Sequence, residues 1–131
     1  MAEEKPCVLV VDDDFQILSL LVDAFEEAGF DVATATNAID AHTVLEGSGH
    51  VGLVVTDIKM PGRVDGLVFG QVVADQHPGI PIIVISGASE PDDRELPAGA
   101  TFVSKPFELS ALLAEARLLM DKAAEGGGRS R

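Results

Sequence analysis

Three nearly continuous apolar runs rich in Val and Ile, at residues 7–11, 51–55 and 80–85, constrain the fold of this chain more than any other feature. Runs of this length with no polar alternation suit central strands covered on both faces, which is the situation of a parallel sheet. Shorter runs at 32–36 and 101–103 read as their partners.

Between the runs the period changes to that of a helix. Leu18, Leu21, Val22 and Phe25 share one face, as do Ala38, Ala41 and Leu45, and then Phe69, Val72 and Val73. Leu109, Leu112, Leu113, Ala116, Leu119 and Met120 form the clearest stripe, opposite Glu108, Glu115 and Lys122. Local punctuation agrees: Asp14 and Asn37 can cap the first two helices, Gly29 ends the first and residues 47–49 close the second.

Strictly alternating strands and helices predict an α/β fold, a doubly wound five-stranded parallel sheet with right-handed crossovers and helices on both faces. The unit between residues 86 and 100 departs from the pattern, because Pro91 and Pro97 leave room for about two helical turns. The fourth helix is therefore expected to be short. A chain of 131 residues is about one domain, read here as residues 1–124 with a disordered tail at 125–131 that contains three consecutive glycines. No room is expected for a second catalytic or DNA-binding domain.

In such a sheet the carboxyl ends of the strands share one edge, so residues distant in sequence meet in one crevice. Asp12 and Asp13 follow the first run, Asp57 the third, Ser86 the fourth and Lys105 the fifth. Three carboxylates brought together at low dielectric repel and raise one another's pKa, a conflict that a divalent cation relieves. Hard oxygen donors without nearby His or Cys favour Mg²⁺, which prefers to bind beside phosphate oxygens. A carboxylate can accept a phosphoryl group, Lys105 and Mg²⁺ can stabilise its oxygens, and Ser86 can hydrogen-bond one of them.

In this order and combination the residues resemble the receiver domain of two-component response regulators, over residues 6–122. The resemblance is carried by Asp12-Asp13, by Asp57 in Val-Val-Thr-Asp-Ile-Lys-Met-Pro, by Ser86-Gly87 and by Lys105-Pro106-Phe107. It implies a flavodoxin-like (βα)5 fold with strand order 2-1-3-4-5 and Asp57 as phosphoacceptor. It further implies Mg²⁺ held by Asp13, by Asp12 partly through water, by Asp57 and by the backbone carbonyl of Lys59. Lys105 would contact the phosphoryl group, Ser86 would turn toward it, and Phe102 would occupy the aromatic switch position. From its own residue type Phe102 reads first as an aromatic at the edge of the core, and as a switch only second. The resemblance also implies a Lys105-Pro106 bond that is often cis.

Two departures from the family pattern stand out. The stretch from Pro61 to Gly66 is one residue longer than the common spacing, and the segment after Ser86 is shorter than usual.

The expected function is a stand-alone, single-domain response regulator that takes a phosphoryl group from a histidine kinase or histidine phosphotransfer protein. It would catalyse only its own phosphorylation and dephosphorylation, and signal to a downstream protein by contact. A formal charge of -13, from 22 acidic against 9 basic residues, repels nucleic acid and anionic membranes. Residues 1–6 are charged and lack a secretory signal, and no run approaches the ~18 apolar residues of a membrane span. A cytoplasmic monomer of bacterial type is expected. Cys7, the single cysteine, reads as a buried strand residue, and His42, His50 and His77 as surface or rim histidines away from the crevice.

Two alternatives use the same residues. A pseudo-receiver would keep the fold as a binding module without phosphorylation. A small Mg²⁺-dependent phosphohydrolase of the haloacid dehalogenase kind would use Asp12-Asp13-Asp14 as its Asp-x-Asp, but that family expects Thr or Val where this chain has Gln16.

Overall fold

In the computed structural model the described residues are 7–48, 50–59, 65–87, 97 and 99–129. Among them run β1 (Cys7–Val11), α1 (Phe15–Glu27), β2 (Asp31–Ala35), α2 (Ala38–Ser48), β3 (Val51–Asp57), α3 (Gly66–Gln76), β4 (Ile82–Gly87), β5 (Thr101–Lys105) and α4 (Leu109–Arg129). The strands form one parallel sheet in the order β2-β1-β3-β4-β5, as the sequence predicts. The short helix expected between β4 and β5 and the lengthened stretch after Met60 fall largely outside the described residues.

Alternation along each central strand divides the core in two. Val8, Val10, Leu53, Val55, Ile83 and Ile85 pack against Leu18, Leu21 and Phe25 of α1 and Leu112 and Ala116 of α4. Leu9, Val11, Val54, Ile82 and Val84 face the other way, against Ala38, Ala41 and Leu45 of α2 and Leu67, Phe69 and Val73 of α3. Because both faces are covered, β1, β3 and β4 have no polar positions until their ends, which is why they read as unbroken apolar runs. The edge strands β2 and β5 are only partly covered and mix polar with apolar residues. Phe25 is fully buried and meets Phe30 edge to face at 5.7 Å; burying a side chain of that size contributes roughly 1.5–3 kcal/mol.

The caps behave as expected. The Asp14 carboxylate accepts from the N–H groups of Gln16 and Ile17 at the start of α1. Asn37 and Asp40 close the first turn of α2 reciprocally, Asp40 N–H donating to Asn37 Oδ1 at 2.8 Å and Asn37 Nδ2 to the Asp40 carboxylate at 3.0 Å. Gly29, at φ +100°, takes the left-handed conformation that releases the chain from α1. The Lys105-Pro106 peptide is cis.

Strand boundaries differ from the sequence reading. Strand β4 begins at Ile82 rather than residue 80, because Ile80 N–H is engaged by His77 C=O in a turn and Pro81 has no N–H to donate. Strands β3, β4 and β5 continue past their apolar runs, so Asp57 and Lys105 are the final residues of their strands and Ser86 the last but one of β4, and not the first residues beyond. Helical backbone in α4 reaches Arg129. Extending a formed helix adds one hydrogen bond per residue fixed, so propagation can carry it through glycines that would not nucleate one.

Candidate functional site

The site depends on register. At the start of the β1–β3 pair Cys7 lies opposite Val51, but Val8 lies opposite Leu53, so Gly52 is an extra residue in β3. From there the ladder runs evenly to Val11 opposite Thr56, which brings Asp12 level with Asp57. Without that bulge Asp12 would fall beside Thr56, one residue out of step, on a strand whose side chains alternate between faces. Farther across the sheet Asp57 pairs with Ile85, and Ser86 with Ser104.

The result is that carboxylate oxygens of Asp12, Asp13 and Asp57 lie within 4.8 Å of one another, the group among the described residues arranged to hold a metal ion. Asp12 is 2% exposed and Asp57 9% exposed, whereas Asp13 stands at the surface. Lys105 Nζ approaches Asp57 Oδ1 at 3.6 Å. One ammonium thus faces three carboxylates. Burial pushes Asp12 up to about 6; the Asp14 N–H, which donates to its Oδ1 at 2.9 Å, counteracts this, and the neighbouring Asp57 charge adds to it. Burial likewise raises Asp57, with Lys105 pulling in the opposite direction.

Such a pocket fits Mg²⁺. Its donors are hard oxygens, and its three carboxylates carry more charge than the Lys105 ammonium offsets. Asp12, Asp13 and Asp57 would hold the ion.

The backbone around Asp57 is held from the far side by α3. Gly66 N–H donates to Ile58 C=O at 2.8 Å, and a Cβ at Gly66 would overlap the Asp57 carbonyl oxygen. Only glycine permits that approach. Buried Thr56 donates through Oγ1 to the same Asp57 carbonyl at 3.0 Å, while Asp65 caps α3 by accepting from Leu67 and Val68 N–H. Sequence reasoning passes over the part played by Thr56 and Gly66; the Asp-Gly pair at 65–66 is the signal that could have found it.

The remaining expected residues are placed as follows. Ser86 is buried at the end of β4, its hydroxyl 3.4 Å from Gly87 C=O. Lys59 lies two residues beyond Asp57 and is exposed. Phe102 lies on the edge strand opposite Val84 and is 44% exposed, outside both core clusters.

The sequence profile of the response regulator receiver domain matches residues 8–117. The transcriptional regulatory protein PrrA of Mycobacterium tuberculosis is 36% identical over 120 residues, covering 88% of this chain and 50% of PrrA. The C4-dicarboxylate transport transcriptional regulatory protein DctD of Rhizobium meliloti is 31% identical over 120 residues, covering 89% of this chain and 26% of DctD. The chain thus spans half or less of the length of these curated relatives. Among solved structures, a CheY-like receiver domain protein from Methanospirillum hungatei superposes with a TM-score of 0.85 at 25% identity, over 93% of this chain and 98% of that one. A response regulator receiver protein from Sinorhizobium medicae gives 0.82 at 27% identity, over 92% and 98%.

Proposed function

The chain belongs to the response regulator receiver domain family, and from that premise we propose that Asp57 accepts a phosphoryl group from a phosphohistidine of a histidine kinase or phosphotransfer protein. An oxygen of the Asp57 carboxylate attacks phosphorus, the N–P bond of the donor breaks, and the imidazole leaves with the electron pair and takes up a proton. Water later attacks the same phosphorus, returning the carboxylate and releasing inorganic phosphate. The protein acts in this way only on itself and is not an enzyme toward other substrates.

The observation that supports this reading most is the position of Asp57. It is a largely buried carboxylate level with Asp12, with Lys105 Nζ 3.6 Å away and its main chain fixed by Gly66 and Thr56. Lys105 is placed to pair with a phosphoryl oxygen in the transition state, where developing charge is best stabilised by donors already in position. Ser86, at the end of the adjacent strand, would donate to another. Bound through Asp12, Asp13, Asp57 and the Lys59 carbonyl, Mg²⁺ would offset the charge of an incoming phosphoryl group.

Phosphorylation adds roughly -1.5 to -2 charges, by analogy with other phosphorylated side chains, and biases a two-state equilibrium already present. Ser86, the connection to β5 and Phe102 are the path by which that bias would reach the surface. The output is contact with another protein, by a receiver acting in the cytoplasm, as a monomer and without binding nucleic acid or membrane. The -13 charge supports the exclusion of anionic surfaces, and no helix among the described residues is long and apolar enough to cross a membrane.

The hydrolase alternative is disfavoured by Asp14. Its carboxylate is engaged in capping α1, so the Asp-x-Asp lacks its second acid.

The test is a set of amide NMR spectra of the protein and of Asp57→Asn, each without metal, with Mg²⁺, and with Mg²⁺ plus beryllofluoride. Shifts around residues 12, 57, 86 and 105 in the wild type, absent in Asp57→Asn, are expected. Mg²⁺ binding without any response to beryllofluoride would instead identify a pseudo-receiver.

A further inference from the structure

On the face of the sheet covered by α2 and α3, the two helices leave an apolar groove that the carboxylate pocket does not use. Ala38, Ile39, His42 and Thr43 of α2 form one wall and Phe69 and Val72 of α3 the other, around about 260 Å³. Ile39 is 73% exposed, and Val68, one turn before Val72, is 37% exposed. Packing does not account for either side chain: both stand outside the core cluster that Ala38, Ala41 and Phe69 join. Apolar side chains exposed beside a groove mark a surface made for contact. The groove shares no residue with Ser86, β5 or Phe102.

Charge around this face has one sign. No Lys or Arg occurs in residues 6–58 or 64–93, which contain both helices. Asp40, beside Ile39, and Asp75, one turn after Val72, are exposed. A second copy of the chain would therefore set acid against acid, and nucleic acid or an anionic lipid surface would be repelled in the same way. The groove, at about 260 Å³, is below the roughly 300–1,000 Å³ of a small-molecule site but suits the apolar anchors of a protein partner. An extended peptide fits poorly, because two helices keep their backbone hydrogen bonds to themselves and offer no strand edge for its N–H and C=O groups. A helix satisfies its own backbone and can lie along the groove as a third helix.

We propose that the α2–α3 groove docks an amphipathic helix of a partner protein. Its apolar anchors, at helical spacing, sit between Ile39 and Val72, and its flanking Lys or Arg residues face Asp40 and Asp75. The rival apolar surface, Phe15 and Leu20 with the hollow between them, is built from α1 alone and has no second helix as a wall among the described residues.

The experiment uses the full chain without metal or beryllofluoride, so its outcome is independent of phosphorylation at Asp57. The probe is a short helical peptide with Leu at positions i, i+3, i+4 and i+7 and Lys elsewhere. Its controls are a peptide of the same composition in scrambled order and one with Glu in place of Lys. Amide shifts should centre on residues 39, 42, 43, 68 and 72, with the first peptide binding more tightly than both controls. Ile39→Ser changes a solvent-facing side chain, and its own amide spectrum establishes that it folds. It should weaken binding at least about tenfold, as truncating an anchor does, and Asp75→Asn should reduce the loss of affinity with added salt. Shifts centred on Phe15 and Leu20, equal binding of either control, or unchanged affinity in Ile39→Ser would overturn the proposal. So would concentration-dependent shifts of the α2–α3 amides without peptide, which would make a second copy the occupant.

Discussion

Replacing Asp12 by Asn should make the metal-free protein more stable at neutral pH and scarcely more stable in mild acid. Asp12 is buried, and its pKa stands at about 6 against an ordinary 3.8, a gap worth roughly 3 kcal/mol at ~1.36 kcal/mol per pH unit. An acid whose pKa is higher in the folded than in the unfolded state stabilises the fold fully below its unfolded value. That contribution is lost as pH rises through the folded value. Between about pH 4.5 and about pH 7.5 the linkage relation gives a loss of about 2 kcal/mol from Asp12 alone. Asn is uncharged throughout and keeps an oxygen to accept the Asp14 N–H now bound at 2.9 Å, so the variant escapes that loss. Urea unfolding of both proteins at the two pH values, without metal, measures the effect as a difference of differences from the transition midpoints, in which the other carboxylates largely cancel. The advantage of Asp12→Asn should grow by about 2 kcal/mol. Mg²⁺ should erase it by stabilising the wild type, since a ligand at 100 times its Kd contributes about 2.7 kcal/mol. An advantage that stays constant to within about 0.5 kcal/mol across this pH range would refute the argument that burial of an uncompensated charge governs the pocket.

Three further substitutions probe the surroundings. Gly66→Ala would force a Cβ into the Asp57 carbonyl and should cost at least about 1–3 kcal/mol, with weakened Mg²⁺ binding, read by urea unfolding and calorimetry. Asp14→Ala removes the acceptor of two N–H groups at the head of α1 and should cost about 1 kcal/mol, visible as a lowered unfolding midpoint. Phe102→Ala removes a ring that is 44% exposed, so stability should fall by less than the roughly 3–5 kcal/mol of a buried aromatic. If Phe102 is the switch, the beryllofluoride-induced amide shifts along β5 should nevertheless be lost, and shifts that persist unchanged would remove it from the mechanism.

Much of this architecture is legible in the residues because its causes are local. Whether a strand is covered on both faces is written in its own composition, so β1, β3 and β4 are evident from their Val and Ile runs, while β2 and β5, half covered, carry weaker signals. Caps are equally direct, since Asp14, Asn37 and Gly29 act within one helical turn of their own position. Ile80 is apolar like a strand residue, but its N–H is engaged in the turn with His77, a contact outside its own run, so β4 starts only at Ile82.

The amino-acid order alone therefore determined the alternation of strands and helices, the two-sided burial of the sheet, and the set of acidic, hydroxyl and amino groups at one edge. Tertiary structure decided how those groups meet. The extra residue at Gly52 sets Asp12 level with Asp57, Gly66 is admitted against the Asp57 carbonyl, and His42 and His77 come to share Glu46. Each of these is a distance between segments remote in sequence, set by strand register and helix packing. A residue's type and its neighbours in the chain state what it can do, but burial and partners, which raise Asp12 to about 6, exist only once the chain has closed around it.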